Sequence, residues 1–269
     1  MVRELLKKAS ERLSESDTPL LDARILLASA MEKEDAALIF NEPSKEQLEL
    51  FENYIDKRVK GVPVAYILGK KEFMGLSFHL NEDTLIPRPD TECLVEKVIE
   101  KNNFSTPKIL DLCTGSGCIG ISLAKFIKGA KCDLTDISEN ALKMAYENSC
   151  LNGLCESTEV FRLDVLTDDI KKGYDIIVSN PPYIESAVIP TLEVSRFEPV
   201  RALDGGEDGL DFYKVIVKKA YAALEKGGML ALEIGYNQGE SVKNLCKDFS
   251  VARLYKDYGN NDRVIIAIK

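Results

Sequence analysis

The sequence contains no tryptophan and a single histidine, His79, among 269 residues. Catalysis built on paired histidines is thereby excluded. No run approaches the roughly 20 consecutive apolar residues that a membrane-spanning helix needs. The opening stretch, Met1–Asp17, is amphipathic and lacks a signal-peptide core. No membrane attachment is expected, and the chain is expected to be a cytoplasmic monomer. Cysteine is sparse and odd in number: there are seven, and only Cys113/Cys118 and Cys150/Cys155 lie close together, neither pair at C-x-x-C spacing. One histidine cannot complete a Cys/His cluster, so neither a metal site nor a disulfide framework is expected. An excess of positive charge is also missing: 35 basic residues face 44 acidic ones, a net charge of −9. That balance argues against broad binding to nucleic acid and predicts no stable nucleic-acid partner. What is present, 45% hydrophobic and 29% charged residues, is enough for a sizeable core and excludes disorder as the main state. The length fits one large domain or two unequal ones.

Residues 1–62 read as helices only. Val2–Leu13 carries apolar residues at helical spacing, and Thr18-Pro19 places a cap before a proline that opens Leu20–Met31. Ser44-Lys45-Glu46-Gln47 is a capping-box pattern for a helix running to Lys60. Residues 63–92 read as a connector. Phe73–Phe78 and His79–Leu85 alternate loosely and are broken by Gly75 and Asn81-Glu82-Asp83, which predicts a β-hairpin; Pro87 and Pro89 stiffen an extended segment after it.

In residues 93–269 strands and helices alternate. Strands are predicted at Lys108–Leu112, Lys131–Thr135, Glu159–Leu163, Tyr174–Ser179, Met229–Ile234, Val251–Tyr258 and Arg263–Ile268. Helices fall between them at Cys118–Ile127, Ser138–Leu151, Gly209–Leu224 (closed by Gly227) and Gln238–Phe249. Such alternation builds right-handed βαβ units and an α/β, Rossmann-like sheet. The turn at Gly259–Asp262 is too short for a parallel crossover, so the seven-stranded sheet must end on an antiparallel strand.

Ile109–Gly120 is a strand, a glycine turn and a helix start, a place where backbone can approach a ligand closely. Gly115, Gly117 and Gly120 satisfy G-x-G-x-x-G, and Asp136 follows at the end of the next strand, where a carboxylate can accept both hydroxyls of a ribose. Those features suit NAD and S-adenosylmethionine equally. Asp111 favours the second: a carboxylate beside the loop repels a pyrophosphate and attracts an ammonium or sulfonium. Its plainer reading is a cap on a neighbouring turn. Asp164-Val165, after the third strand, offers an acid for an adenine amino group and an apolar side chain for its face; Asp164 alone is also an ordinary helix cap.

The fourth strand ends in Asn180-Pro181-Pro182-Tyr183, beside the glycine turn, because ligands in open α/β sheets bind at the carboxyl ends of strands. Two prolines fix the backbone and expose carbonyls without local N–H competitors. Asn180 adds an acceptor and Tyr183 a flat ring, so the tetrapeptide is shaped to grip an –NH₂ group on a planar π-system. An amide nitrogen is a poor nucleophile because its lone pair is delocalised. The Asn180 side chain and the Pro181 carbonyl can hold both N–H bonds, aim the nitrogen, and stabilise the positive charge that grows on it during methyl transfer. No strong base is needed, since the proton leaves after the methyl arrives.

Asn-Pro-Pro-Tyr resembles the amino-group methyltransferases, which include enzymes acting on DNA adenine, on RNA guanine and on glutamine. Gly61–Gly69, Phe73-Met74-Gly75, Leu85–Glu92, Arg196-Phe197-Glu198-Pro199, Ala202–Gly206 and Asp257–Arg263 resemble, in that order, the peptide chain release factor glutamine N5-methyltransferases (PrmC/HemK type). The resemblance covers nearly the whole chain. It implies a class I methyltransferase fold, S-adenosyl-L-methionine as methyl donor without a metal, and the glutamine of the Gly-Gly-Gln loop of release factors as substrate. The helical residues 1–62 would then recognise that protein. The family's donor site falls on Cys113, Thr114, Gly115, Ser116, Gly117, Asp136 and Val165 beside Asp164, with Asn180 touching both ligands; its substrate site falls on Asn180, Pro181, Pro182 and Tyr183. Cys113 stands where many relatives have glycine, and Val165 where some have an aromatic residue. An N6-adenine methyltransferase of nucleic acid is the alternative; it predicts a basic recognition region, which the balanced N-terminal charge does not offer. Arg88 and Glu198-Pro199 either shape the pocket wall or tie loops together. His79 reads as a surface or packing residue, and the cysteines as small core residues.

Overall fold

The computed structural model describes residues 2–33 and 35–269. They form two compact units, divided between Lys70 and Lys71. The first is helical: α1 (Val2–Arg12), α2 (Pro19–Ala30), a 3₁₀ segment (Asp35–Phe40), α3 (Lys45–Val59) and α4 (Val64–Leu68). Val2, Leu6, Ala9 and Leu13 recur at helical spacing and pack with Leu26, Leu27, Phe51 and Ile55. The capping box forms: Gln47 N–H donates to Ser44 Oγ (3.3 Å), and Ser44 N–H to Gln47 Oε1 (2.8 Å). Thr18 does not cap α2 with its side chain. Its hydroxyl donates instead to Asp22 Oδ1 (3.0 Å), a buried carboxylate that also receives Ser16 Oγ (2.8 Å) and Arg58 Nε (2.7 Å).

A hairpin follows, of β1 (Lys70–Phe73), whose first residue is the last of the first unit, and β2 (Leu76–His79). The turn lies at Met74-Gly75, both at positive φ (+53° and +70°), with Glu92 Oε1 accepting from Met74 N–H at 2.6 Å. This corrects the expected strands over 73–78 and 79–85. Two consecutive left-handed residues make the tight turn, whereas Asn81-Glu82-Asp83 closes a separate loop, Asn81 accepting from Asp83 N–H (3.0 Å). Pro89 does not continue an extended segment either. It is the first residue of α5 (Pro89–Lys101), where a missing N–H is harmless.

Then follow β3 (Lys108–Leu112), α6 (Cys118–Phe126), β4 (Lys131–Asp136), α7 (Glu139–Leu151), β5 (Thr158–Arg162), β6 (Tyr174–Ser179), α8 (Asp211–Ala223), β7 (Leu224–Glu233), α9 (Gly239–Leu245), β8 (Val251–Lys256) and β9 (Asp262–Ile268). The sheet order is β5-β4-β3-β6-β7-β9-β8, and β9 runs antiparallel to both neighbours. The expected seven-stranded sheet with an antiparallel last strand is thus the one observed. Helix α8 stops at Ala223 and Gly227, at φ +80°, lies within β7 instead of closing the helix. Alternate residues of β3 face opposite layers: Ile109 packs with α5 and α6 side chains, Leu110 and Leu112 with those of α8. Chain order reverses between β3 and β6, so their carboxyl ends flank the crevice where this architecture binds ligands.

Cys150 and Cys155 are joined in a disulfide, contrary to expectation; Gly153 (φ +72°) turns the chain after α7 and brings their Cα atoms to 4.9 Å. The other five cysteines are free, and four of them are buried. No helix among the described residues is long and apolar enough to cross a membrane.

Candidate active site

The turn after β3 is built from left-handed residues: Cys113 (φ +58°), Gly115 (+55°) and Gly117 (+84°). A β-carbon at such φ costs about 1–2 kcal/mol, a cost that Cys113 bears and a glycine would not. The three glycines have different work. A β-carbon on Gly115 would meet nothing within 4 Å, so this backbone faces open space. One on Gly117 would lie 2.6 Å from Ile121 Cδ1 and 3.3 Å from Ala145, and one on Gly120 2.2 Å from Leu134 Cδ2 and 2.9 Å from Asp111 Oδ2. Gly120→Ala should therefore destabilise the fold by about 1–3 kcal/mol through overpacking. Denaturant titration checks this, and wild-type stability in the variant would mean that the α6–β4 contact has slack.

Asp111 lies beneath this turn, fully buried, and is not part of the cavity wall. Its Oδ2 accepts from Thr114 Oγ1 (2.6 Å) and from Gly120 N–H (2.9 Å). Burial pushes its carboxyl up to about 7, the two donors pulling the other way. The plainer reading of Asp111, a brace for the turn, matches this position. Thr114 and Ser116 are also buried, and Asn148 Nδ2 holds the Ser116 carbonyl (2.9 Å) while bonding His79 O (3.0 Å), so the turn is tied to the hairpin.

A cavity of about 370 Å³ lies over the turn. Of the predicted residues Cys113, Gly115, Asp136, Asp164, Val165, Asn180 and Pro182 line it; Asp111, Thr114, Ser116, Gly117, Pro181 and Tyr183 stand behind or beside it. Asp136, at the end of β4, accepts from Gly115 N–H through Oδ2 (3.0 Å) and from Ser138 N–H through Oδ1 (2.9 Å). Burial raises its pKa, opposed by the amides of Ser138, Gly115 and Ile137 and by the Arg201 charge. Asp164 accepts from Leu166 N–H (3.0 Å), and Lys219 of α8 donates to the carbonyls of Val165 (2.9 Å) and Asp168 (2.7 Å), pinning that loop.

Sequence reasoning missed several wall residues, including Asp83, Leu85, Ile137, Arg201 and Phe212. Arg201 borders the quoted Ala202–Gly206 segment, which was the available signal; nothing marks Phe212 in the sequence. With Asp83, Asp136 and Asp164 against Arg201 the wall is net acidic, a field that favours a cationic ligand over a pyrophosphate.

Asn180-Pro181-Pro182-Tyr183 leaves β6 where Ser179 Oγ donates to Leu112 O (2.7 Å), fixing it against β3. Asn180 Nδ2 points at Thr91 Oγ1, 3.4 Å away. The backbone beyond is gripped by the glycine segment: Ile184 N–H donates to Leu203 O (2.9 Å), Gly205 N–H to Ile184 O (2.8 Å), and Gln238 Nε2 to Tyr183 O (3.0 Å). A β-carbon on Gly205 would come within 2.7 Å of Tyr183 Cα, and one on Gly209 within 2.4 Å of Tyr183 O. Those glycines permit the close approach. Arg88 and Glu198 tie loops together: Glu198 is buried, accepts from Ile86 N–H (3.0 Å), and pairs with the Arg88 guanidinium.

The fold and this turn define a methyltransferase. Residues 89–197 match the methyltransferase small domain and residues 4–69 the PrmC N-terminal domain. A solved methyltransferase from Pyrococcus furiosus has the same fold at 18% identity (TM-score 0.55, over 74% of this chain and 91% of that one). The chain is 40% identical to the release factor glutamine methyltransferase of Clostridium acetobutylicum over all of its own length and 98% of that protein. It is 41% identical to the one from Fusobacterium nucleatum over 99% of its length and 78% of that protein. The chain belongs to the release factor glutamine methyltransferase family.

Proposed function

We propose that this protein transfers the methyl group of S-adenosylmethionine to the side-chain amide nitrogen of the glutamine in the Gly-Gly-Gln loop of peptide chain release factors. The observation that carries the proposal is convergence: Asn180 and Pro182 share one cavity wall with Gly115 and Asp136. A methyl donor fits the residues present. Gly115 offers open backbone, Asp136 a half-buried carboxylate with lone pairs to spare, and the acidic wall suits a positively charged ligand. When bound, S-adenosylmethionine supplies a methyl group activated by its sulfonium. Asp136 would hold the ribose hydroxyls, and Asp164 with Val165 the adenine. Asn180 Oδ1 and the Pro181 carbonyl accept the two N–H bonds of the substrate amide, orient its nitrogen and stabilise the charge that develops there. The helical unit up to Lys70 serves to recognise the protein substrate. The adenine-methyltransferase alternative has no comparable support, given the full-length relatives and the charge of −9.

The test is labelled-methyl transfer to purified release factor, free glutamine and adenine-containing DNA side by side. Only the release factor should be an efficient acceptor, because remote contacts supply the binding energy that positions a weak nucleophile. Comparable specificity constants for free glutamine would sink the protein-substrate reading, and efficient labelling of DNA would replace it. A chain lacking the helical unit should keep donor affinity and lose release-factor methylation.

A further inference from the structure

Asn180 is useful only in one of its two amide orientations. Its oxygen must face the substrate N–H bonds; turned over, it would oppose donors with donors. Something has to choose between them.

Behind Asn180 lie two buried polar groups for which the transfer itself has no use. Thr91, third residue of α5, is 2% exposed, and its Oγ1 lies 3.4 Å from Asn180 Nδ2. Glu233, the last residue of β7, is 1% exposed, and its Oε2 has no hydrogen-bond partner among the described residues. The groups that face Glu233 are Thr91 and Asp90 of α5, the Cys118 thiol of α6, Tyr183 of the Asn-Pro-Pro-Tyr segment and Arg263 of β9; Tyr213 of α8 donates to its backbone carbonyl (2.9 Å). Arg263 is itself engaged by Asp257 (3.1 Å) and Asp90 (3.3 Å), so it does not neutralise Glu233 alone.

A threonine hydroxyl has a single proton. Where Thr91 turns that proton towards an ionised Glu233, only lone pairs remain for Asn180, whose NH₂ must then face Thr91 and whose oxygen faces the cavity. We infer that Thr91 and Glu233 are positioning residues that set the polarity of the Asn180 amide. The inference rests on the proposed transfer to an amide nitrogen. A protonated Glu233 reverses the relay: it donates to Thr91, Thr91 donates to Asn180 Oδ1, and the amide inverts. Burial pushes Glu233 up to about 7, with Thr91 and Arg263 pulling it down and Asp90 pushing it up, which places the reversal in an accessible range.

The experiment compares the full-length wild type with Thr91→Val, Thr91→Ser and Glu233→Gln. Three quantities are read: turnover on release factor across pH 5.5–8.5 (~3 units spanning the expected transition), donor affinity by calorimetry, and the Asn180 side-chain amide signal in ¹⁵N-asparagine-labelled protein. Thr91→Val should lower kcat at least ~10-fold with donor affinity unchanged, and Thr91→Ser should recover most of that loss. Wild-type turnover should fall as Glu233 protonates, near pH 7, and Glu233→Gln should lack that acid limb. The Asn180 amide signal should titrate in parallel in the wild type and not in Glu233→Gln. Undiminished turnover in Thr91→Val, an Asn180 signal indifferent to pH in the wild type, or one that still titrates in Glu233→Gln would overturn the relay. Absence of any transfer by the wild type would count against the functional proposal instead, and the amide signal, which needs no turnover, would still decide the relay. Should Thr91→Val fail to fold, the wild-type titration and Glu233→Gln decide it.

Discussion

Asn180→Ala should lower turnover by roughly 10²–10³-fold, the scale seen when one preorganised polar partner is lost from a transition state, while donor affinity stays within a few-fold. The expectation follows from where Asn180 sits. It leaves the end of β6 on a backbone held by Ser179, by two prolines and by the Gly205 segment, so little of its position depends on its own side chain. Removing the amide should thus delete an acceptor without moving the Pro181 carbonyl. Asn180→Asp should not restore full activity. A carboxylate still accepts a hydrogen bond, but its charge also attracts a nearby sulfonium and disturbs the methyl's approach. Single-turnover kinetics with labelled donor, alongside calorimetry, separates the chemical step from binding. A variant lacking Asn180 that still turned over at near the wild-type rate would show that the acceptor pair is not what activates the amide.

Much of this architecture was legible because strands buried on both faces announce themselves. Lys108–Leu112 and Tyr174–Ser179 are short apolar runs bounded by turn residues, and both coincide with observed strands. Proline was the less faithful guide. Pro89 is compatible with an extended segment and with the first turn of a helix, and only the packing of Leu94, Val95 and Val98 into the core decides for the helix. The hairpin's extent was harder to read: Gly75 does mark its turn, but Asn81-Glu82-Asp83 has the stronger turn composition and only closes a separate loop, while the Glu92 carboxylate, 18 positions away in sequence, satisfies the Met74 amide. Burial is the quantity a single sequence conveys least. Asp111 invites a role in direct ligand contact, yet it braces the turn from below, and Thr91 and Glu233 carry no local mark of lying behind Asn180. Glycines were legible as a pattern and not as separate functions. Gly115 stands on open space while Gly120 is packed against β4, and the same letter serves both.

Asp136→Ala should weaken donor binding by about 10²–10⁴-fold, because two charge-assisted hydrogen bonds to ribose hydroxyls, about 1.5–3 kcal/mol each, are lost together. Part of that loss would be indirect. Asp136 Oδ2 already accepts from Gly115 N–H and Oδ1 from Ser138 N–H, so its removal also frees the backbone of the glycine turn. A double-mutant cycle separates the two contributions. A donor analogue lacking one ribose hydroxyl should bind the wild type more weakly than the parent donor does, whereas Asp136→Ala should hardly distinguish the two. Loosening of the turn, by contrast, would weaken both ligands equally. Protonation should act as a milder version of the same change. Burial raises the Asp136 pKa, so as pH falls through that value the acid loses its charge and one of its acceptor positions, and donor affinity should decline in the wild type but not in Asp136→Ala. Asp136→Asn should not be neutral either, since one of its two positions becomes an NH₂ group facing a backbone N–H. Unchanged donor affinity in Asp136→Ala would remove this carboxylate from the binding site, and equal weakening of both analogues would reduce it to a brace for Gly115.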